Sequence, residues 1–277
     1  MALKLMYITN NPDVAKIAED SGVDRIFVDM EYIGKDLRQG GMDTVQSHHT
    51  VDDVKRIKPV LSSAELLVRI NPIHHAHPGV IGSQEEIDAV INAGADVIML
   101  PYFTTVKEVE EFIRIVDGRA RTLPLVESKR SVELIDDILD LDGIDEIFIG
   151  LNDLSLDMGK KFMFELLSDG TVENLCLKFR LKGIPFGFGG IAALGKGMLP
   201  SEYIIREHYR LGSTCAILSR SFCNANHFTD LEAIRNIFES GMKGIRYFEQ
   251  ECEERIEYFR ENEKNIAERI QNIVEQL

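Results

Sequence analysis

Two acidic residues, Glu127 and Asp153, each follow a short apolar run of the kind that forms a buried strand. Glu127 comes directly after Thr122–Val126, and Asp153 lies in the turn after Glu146–Gly150, one strand–helix unit later. In a parallel barrel, neighbouring strands end side by side on the face that carries the chemistry. Either carboxylate alone could cap the helix that follows it. Together, with neither His nor Cys beside them, they favour a site for a hard divalent cation, Mg²⁺ or Mn²⁺.

Polar residues also follow most of the other predicted strands. They are Asp29, Glu31 and Tyr32 after the second strand, Arg69 and Asn71 after the third, Pro101 and Tyr102 after the fourth, Gly189 and Gly190 after the seventh, and Ser219 and Arg220 after the eighth. Packing alone does not account for polar groups placed so regularly where apolar strands end. We therefore expect these residues to border one pocket together with the two carboxylates.

The elements that would position these residues alternate along the chain, strand then helix, with no linker rich in Pro, Gly or Ser. Short apolar runs joined by amphipathic helices require a parallel sheet that is buried on both faces. The predicted strands are Leu3–Thr9, Asp24–Glu31, Glu65–Ile70, Asp96–Leu100, Thr122–Val126, Glu146–Gly150, Ile184–Phe188 and Thr214–Ser219. The predicted helices include Pro12–Ser21, Val51–Leu61, Ser83–Ala93, Thr105–Val116, Ser131–Leu141 and Ser201–Leu211.

This pattern predicts an α/β protein with a single (β/α)8 TIM barrel over residues 1–240 and a C-terminal amphipathic helical extension over residues 241–277. No GxGxxG sequence opens a helix, which makes a dinucleotide-binding fold the weaker alternative. The tail carries apolar residues at a spacing of three to four on a charged background, from Ile245 to Leu277. Such a helix either folds back on its own barrel or bridges subunits, and the sequence favours neither.

Composition and charge exclude several kinds of partner. The chain has 277 residues, with 31 Lys and Arg against 46 Asp and Glu, so its formal net charge of −15 argues against nucleic acid or an anionic membrane. No apolar run is long enough to span a bilayer, and the N-terminus MALKLMYITNN turns polar too soon for a signal peptide. The four cysteines lack a CxxC spacing or a disulfide framework, which predicts reduced thiols in a cytoplasmic protein.

An unusually long connection, Ile33–Thr50, follows the second predicted strand. Loops of this length inside a domain are functional lids or disordered segments, so His48 or His49 at its end is a candidate general base if the loop folds over the pocket. A histidine in a polar surface loop is more often merely solvated. The run IHHAHP after the third strand, with His74, His75 and His77, lacks the further ligands that a zinc site needs.

Several of these segments together resemble one enzyme family. They are Asp29-Met30-Glu31, the strand ending in Arg69, the Pro101 turn, Val126-Glu127-Ser128, and the stretch from Gly150 to Gly159 with its GxNDLS…MG pattern. In this order, over roughly residues 5–225, the chain resembles the HpcH/HpaI aldolase and citrate lyase family, metal-dependent class II aldolases of the pyruvate/phosphoenolpyruvate barrel superfamily.

The resemblance implies roles for individual residues. Glu127 and Asp153 would bind the cation, Arg69 would contact the oxygens of a 2-oxo acid, and backbone N–H groups around Asn152 would hold its carboxylate. Further expected substrate-binding residues are Glu31, Asn71, Gly150 and Ser219. The resemblance also implies a homo-oligomer, a trimer or hexamer, in which subunits exchange their last helix.

The chain departs from the family pattern where protons are transferred. Tyr32 stands where the pyruvate aldolases carry the His of DxEH, Leu125 replaces a Gln two residues before the metal-binding Glu, and Leu151 replaces a common Pro. We therefore predict Arg69, Tyr32 and His49 as catalytic residues. Tyr32 would orient substrate or donate a proton, because a phenol with its ordinary pKa near 10 is a poor base at neutral pH.

These features predict a divalent-metal-dependent aldolase that cleaves or forms 4-hydroxy-2-oxo acids through a pyruvate enolate. A Schiff-base mechanism needs a desolvated Lys inside the barrel; the sequence offers none at a strand end, and Lys129 is expected at a helix start. Three alternatives stay open: a related lyase acting on an acyl-CoA or oxaloacetate, a phosphate-bearing substrate, and a catalytically silent binding barrel. The phosphate-binding alternative rests on Lys35, Arg38, Gly40-Gly41 and Gly189-Gly190.

Overall fold

The computed structural model describes residues 2–35, 47–225, 230–255 and 257–277. Eight parallel strands, each bonded to the next along the chain, form a closed barrel, which confirms the predicted (β/α)8 architecture. Strand β8 pairs with β1 and closes the sheet. The strands are β1 (Lys4–Ile8), β2 (Arg25–Asp29), β3 (Glu65–Arg69), β4 (Val97–Leu100), β5 (Arg121–Val126), β6 (Ile147–Ile149), β7 (Phe186–Ile191) and β8 (Cys215–Leu218).

Helices surround the barrel. They are α1 (Pro12–Asp20), α2 (Val51–Ile57), α3 (Ser83–Asn92), α4 (Val106–Val116), α5 (Lys129–Glu133), α6 (Ile135–Leu139), α7 (Leu151–Asp157), α8 (Glu165–Ser168), α9 (Thr171–Lys182), α10 (Ser201–Leu211), α11 (Leu231–Glu254) and α12 (Tyr258–Gln276). The helix predicted over Ser131–Leu141 is two short helices, α5 and α6, and its cap is Ser128 rather than Ser131. No helix in the described ranges is both long and apolar enough to cross a membrane.

Local sequence signals set the helix ends. The Asn11 side chain accepts hydrogen bonds from the backbone N–H groups of Asp13 and Val14, as expected for an N-cap. Thr105 and Glu108 form a reciprocal capping box at the start of α4. Helices α9 and α10 both end at a glycine in the left-handed conformation, Gly183 and Gly212, where a side chain would be strained. These caps fix where each helix leaves the neighbouring strand.

The core has two parts, inside the barrel and between barrel and helices. The interior cluster consists of Met6, Phe27, Leu67, Val97, Met99, Leu123, Leu125, Phe148 and Cys215. Cys215 is buried among these apolar side chains as a free thiol. Gly187 of β7 faces this cluster, and a Cβ there would lie within 2.4 Å of the Cys215 Sγ. The interior is therefore filled, and open space begins only towards the C-terminal ends of the strands.

A charged cluster occupies the opposite, N-terminal end of the barrel. Arg25 is fully buried, and its two terminal nitrogens donate to Glu146 at 3.0 and 2.8 Å. Its Nε and Nη2 donate to Glu65 at 3.1 and 2.8 Å. Arg121 pairs with both of these carboxylates, and Lys4 pairs with Glu65. Because each buried charge has opposite charges beside it, the cluster tolerates burial that a lone ion would not.

The C-terminal tail packs on the barrel of its own chain. Helix α11 contacts α1, and α12 contacts α8 and α10. Ile266 and Ile270 are buried in this contact, and the Asn262 side chain donates to the Glu207 carboxylate at 2.8 Å. The back-folded arrangement is thus the one this structure adopts, and the predicted boundary at residue 240 falls inside α11. Ile256, part of the predicted apolar stripe, lies outside the described residues, and the homo-oligomer stays a prediction.

Candidate active site

A cavity of about 390 Å³ opens at the C-terminal ends of the strands. Most of the residues predicted to bind metal or substrate or to catalyse line it: Arg69, Glu127, Asp153, Gly150, Asn152, Ser219 and His49. Its deepest wall is apolar, with Phe27, Met99, Leu125 and Phe148. Polar side chains surround the opening, among them Asn10, Ser47, Arg220 and Asn224. The cavity therefore has an apolar base and a polar mouth.

Three predicted site residues do not line the cavity: Tyr32, Asn71 and Glu31, whose buried carboxylate pairs with Lys35 and Arg69. Tyr32 is 49% exposed and does not line the cavity. Asn71 also lies outside the lining, because its side-chain oxygen accepts from the backbone N–H groups of Tyr32 and Ile33 and its Nδ2 donates to Glu86. Asn71 thus fixes the path of the chain after β2, and this same anchoring carries Tyr32 away from the pocket. The catalytic role of Tyr32 and the substrate-binding roles of Asn71 and Glu31 stay predictions, and none of the three lines the cavity in this structure.

Arg69 is held by a planar, two-point contact with Asp29 on the neighbouring strand. Asp29 and Arg69 are register partners of β2 and β3. The Arg69 Nε and Nη2 donate to the two Asp29 oxygens, both at 2.8 Å, and Nη1 lies 3.3 Å from Glu31. Burial alone would raise the pKa of Asp29, but the charge of Arg69 outweighs it and holds that pKa well below its usual range. The guanidinium is therefore permanently charged and fixed in orientation.

Lys35, which the sequence analysis named only for the phosphate-binding alternative, completes this ionic cluster. Its side chain is buried, and Nζ lies 3.2 Å from Asp29 and 3.4 Å from Glu31. Lys35 also lines the cavity, so a lysine does reach the site from the segment after β2. Its Nζ is thus engaged in ion pairs with two carboxylates. The cluster thus contains two carboxylates, Asp29 and Glu31, and two cationic side chains, Arg69 and Lys35.

Glu127 is buried and lines the cavity directly after the end of β5. One of its oxygens accepts from the backbone N–H of Tyr102 at 2.8 Å. Tyr102 has a φ of 41°, a left-handed conformation that is costly for a residue with a side chain. Gly150 lies against the same carboxylate: a Cβ there would be 2.8 Å from the Glu127 Cβ and 3.0 Å from Oε2. The position of Glu127 therefore depends on the hydrogen bond from the Tyr102 backbone and on the space that Gly150 leaves beside the carboxylate.

Burial and neighbouring charges both act on the pKa of Glu127. Burial raises its pKa well above the ordinary value, and the nearby charges of Glu31 and Asp153 raise it further, against the opposing effect of Arg69. Asp153 lies in the first turn of α7, which begins directly after β6. An added cation would relieve the repulsion between two carboxylates that share one cavity.

These two carboxylates fit a hard divalent cation. They offer only oxygen donors, which suits Mg²⁺ or Mn²⁺ and leaves further coordination positions for water and substrate. Within the described residues no group of three or more His, Cys, Asp or Glu side chains is arranged to hold a metal. A cation here would therefore have two protein ligands, as the resemblance implies, and would depend on the substrate to complete its coordination.

His49 reaches the cavity from the far end of the long connection after β2. Its Nδ1 accepts a hydrogen bond from the backbone N–H of Asp29 at 3.0 Å. Burial lowers the pKa of His49, and the nearby charges of Asp29 and Asp53 oppose this effect without reversing it. His48 is exposed. Of the two candidate bases, only His49 lines the cavity, and its Nδ1 is already occupied.

The remaining residues considered in the sequence analysis are Lys129, His74 and the proposed phosphate-binding residues. Lys129 begins α5, and its backbone N–H donates to Asp157, as expected for a helix start. His74 is bonded within its own loop through the carbonyl oxygens of Pro72 and Ile81. Of the residues proposed for phosphate binding, Lys35, Gly189 and Gly190 line the cavity. Arg38, Gly40 and Gly41 lie outside the described residues.

The chain is similar to known proteins of one family. The HpcH/HpaI aldolase/citrate lyase family model matches residues 4–165, more than half of the chain. A hydroxypyruvate/pyruvate aldolase from Roseovarius nubinhibens is 24% identical over 161 residues, which is 54% of this chain and 62% of that protein. The match thus spans less than two thirds of that relative's length.

Solved structures share the fold. A HpcH/HpaI aldolase/citrate lyase family protein from Burkholderia cenocepacia J2315 superposes with a TM-score of 0.62 at 15% identity, covering 84% of this chain and 94% of that one. A HpcH/HpaI aldolase from Desulfitobacterium hafniense DCB-2 gives a TM-score of 0.58 at 18% identity, covering 88% and 93%. At such identities the likeness establishes the barrel fold alone.

Proposed function

Because this chain belongs to the HpcH/HpaI aldolase/citrate lyase family, we propose that it is a divalent-metal-dependent carbon–carbon lyase, an aldolase that cleaves or forms 4-hydroxy-2-oxo acids. The observation that carries the proposal is that Glu127, Asp153 and Arg69 line one cavity. The name of the Roseovarius relative, a hydroxypyruvate/pyruvate aldolase, supports pyruvate or hydroxypyruvate as the 2-oxo acid.

Glu127 and Asp153 would hold the cation, Mg²⁺ or Mn²⁺. When bound, the cation would supply a positive charge that polarises the keto oxygen of the 2-oxo acid and stabilises negative charge there. The protein's contribution is to place the buried Glu127 and the half-buried Asp153 in one cavity, where the pKa of Glu127 is raised by burial and by its acidic neighbours. The site is costly to maintain without a cation, which supports the assignment.

Arg69 would bind and orient the 2-oxo acid. Its guanidinium has five N–H groups, and the contact with Asp29 occupies two of them. Nη1 also pairs with Glu31. The N–H groups that are not directed at these carboxylates can donate to the keto or carboxylate oxygens of the substrate, and they cannot lose their protons at any working pH. Lys35 and Glu31 support this arrangement by keeping Asp29 and Arg69 in place. Arg69 would thus neutralise charge where it develops.

The first turn of α7 would hold the substrate carboxylate. Backbone N–H groups at a helix start point outward and attract anions. Gly150 and Asn152, at this start, line the cavity. The apolar base formed by Met99, Leu125 and Phe148 excludes water from the carbon atoms of the substrate and strengthens these electrostatic contacts.

In the cleavage direction, the C3–C4 bond of the 4-hydroxy-2-oxo acid breaks and its electrons remain on the 2-oxo acid as an enolate. The proton of the 4-hydroxyl group leaves to water at the mouth, and C4 becomes the carbonyl carbon of the released aldehyde. The enolate carbon then takes a proton from water, which gives pyruvate or hydroxypyruvate. Condensation runs through the same steps in reverse.

Exchange of pyruvate methyl protons into D₂O, followed by proton NMR with Mg²⁺ or Mn²⁺, tests this proposal without knowledge of the aldehyde. Metal-dependent exchange is expected in the wild-type protein. Glu127→Gln and Asp153→Asn should abolish this exchange. Arg69→Lys should slow the exchange about 100-fold, because the ammonium group of Lys cannot make the two-point contacts of the planar guanidinium. Exchange that is absent in the wild type, or that persists in the carboxylate variants, would show that the proposed function is wrong.

A further inference from the structure

The imidazole of His49 is attached to the barrel through one specific atom. Its Nδ1 accepts a hydrogen bond at 3.0 Å from the backbone N–H of Asp29, the last residue of β2. The strand backbone is paired with its neighbours and cannot turn away, so this donor is fixed. The ring also lines the cavity, although the residue belongs to the connection after β2 and not to a strand.

This contact determines where the ring carries its proton. A nitrogen that accepts a hydrogen bond must present its lone pair, so the neutral ring has its proton on Nε2. Protonation at Nδ1 would bring two N–H groups against each other and lose the bond to Asp29. The charged groups that face the ring are Asp29 and Asp53, which favour a cationic ring, and Lys35, which opposes it along with burial and His48. The lowered pKa that results keeps the ring neutral at physiological pH.

A ring of this kind cannot act as the general base that its sequence position suggested. Its one basic nitrogen, Nδ1, is bonded to the β2 backbone, and Nε2 already carries a proton. Neutral imidazole is also far too weak an acid to give that proton up completely. The ring can, however, donate a hydrogen bond from Nε2 to an oxygen in the cavity. The two cationic side chains close by, Arg69 and Lys35, are paired with Asp29 and Glu31.

We propose that His49 is a neutral hydrogen-bond donor whose Nε2–H binds the oxygen on C4 of the substrate, the hydroxyl that becomes the aldehyde oxygen. This inference rests on the proposed lyase function. As the C3–C4 bond forms in condensation, the electrons of the aldehyde carbonyl move to this oxygen, and the donor stabilises the negative charge that develops there. The oxygen then takes a proton from water. His49 keeps its own proton throughout.

The protonation state is measured directly by ¹⁵N NMR of the imidazole side chains, with the His49 signal assigned by its absence in the His49→Gln protein. We expect an unprotonated Nδ1, a one-bond N–H coupling at Nε2, and a titration midpoint below that of a free imidazole. A proton on Nδ1 of the neutral ring, or a midpoint at or above that of a free imidazole, would overturn the inference. The spectrum is independent of turnover, so it decides this point even if the protein is not a lyase.

A matched pair of variants tests the role in turnover. The amide nitrogen of Gln can replace Nε2 as a donor, whereas the shorter Asn reaches only the position of Nδ1. In the condensation of pyruvate with glycolaldehyde or glyoxylate as probe aldehydes, His49→Asn should lower kcat about 100- to 1,000-fold with little change in KM. His49→Gln should retain kcat within about tenfold, with the same pH profile as the wild type.

Equal activity of the two variants would contradict a donor role. Loss in His49→Gln of an acidic limb that the wild-type pH profile shows would indicate a base instead. Failure of the lyase proposal looks different. In that case the wild-type protein itself would show no metal-dependent exchange of pyruvate protons and no condensation.

Discussion

Gly150 allows a sharp test of how the site is built, because it has no side chain where Glu127 needs space. The residue has φ −83° and ψ 86°, a conformation open to alanine, so Gly150→Ala adds a methyl group without backbone strain. That methyl carbon would lie 2.8 Å from the Glu127 Cβ, 3.0 Å from Oε2 and 3.3 Å from the Leu125 Cδ1. Carbon atoms in contact normally lie about 3.5–4.0 Å apart.

The Glu127 side chain must therefore move by roughly 0.7 Å or more to accept the methyl group. Metal–ligand distances tolerate only about 0.2 Å. A displacement several times this tolerance should weaken Mn²⁺ binding about 10- to 100-fold, the range found when groups that orient metal ligands are altered. Overpacking should also reduce the free energy of unfolding by about 1–3 kcal/mol.

Gly190→Ala is the matched control. Gly190 lines the same cavity, but a Cβ there would meet its nearest atoms, the Ile217 carbonyl oxygen and the Ser219 Cβ, at 3.5 Å, an ordinary contact distance. The same methyl group is thus added to the same cavity without displacing a carboxylate. We expect Mn²⁺ binding within about threefold of the wild type.

Mn²⁺ titration followed by electron paramagnetic resonance measures the affinity, and the D₂O exchange assay at saturating Mn²⁺ measures the consequence for turnover. Gly150→Ala should need more metal and remain slower even when saturated. If Gly150→Ala binds Mn²⁺ as tightly as Gly190→Ala, then Glu127 is not a metal ligand or its position does not matter, and the proposed site is wrong.

Three further predictions follow from buried charges and polar contacts. Because the folded state raises the pKa of Glu127, its contribution to stability is full below the unfolded pKa near 4.3 and is lost as pH rises through the folded pKa. With a chelator present to remove metal ions, Glu127→Gln should therefore stabilise the protein against urea more at about pH 8 than at about pH 5. An equal gain at both pH values would refute a raised pKa of Glu127 in the folded state. Arg25→Met removes the only fully buried cation among the described partners of Glu146 and Glu65 and should cost about 3–5 kcal/mol in urea unfolding, whereas Arg121→Met, a partly exposed partner, should cost about 1 kcal/mol or less. Asn262→Ala removes the bond to Glu207 and should cost about 1–3 kcal/mol and speed proteolysis of the tail; an unchanged tail would show that this contact does not hold α12.

The barrel and the meeting of Glu127, Asp153 and Arg69 could be predicted from sequence because they depend on strand order. In a closed parallel barrel the ends of all strands converge on one face, wherever the intervening helices lie. The pairing of Asp29 with Arg69 follows from the register of two adjacent strands. These inferences need only the hydrophobic pattern and the polar residue at each strand end.

The positions of Tyr32, Lys35 and His49 could not be predicted in the same way, because all three lie in the connection after β2. Beyond a strand end, no periodicity fixes the direction of a side chain. The path of this connection depends on Asn71, which follows a different strand and accepts from the backbone of Tyr32. Likewise, the space that Glu127 requires from Gly150 depends on the packing of β5 against β6. Contacts between segments distant in sequence therefore determine these side-chain positions.

The charged cluster of Arg25, Glu65 and Glu146 fills the N-terminal end of the barrel, so the cavity has its exit at the opposite end. In the proposed reaction the 2-oxo acid would sit deeper, beside the buried Glu127, and the aldehyde nearer the mouth. The aldehyde must then depart before the 2-oxo acid can. Steady-state kinetics should accordingly follow a sequential order, with pyruvate first to bind in condensation and inhibition by it competitive against the cleavage substrate.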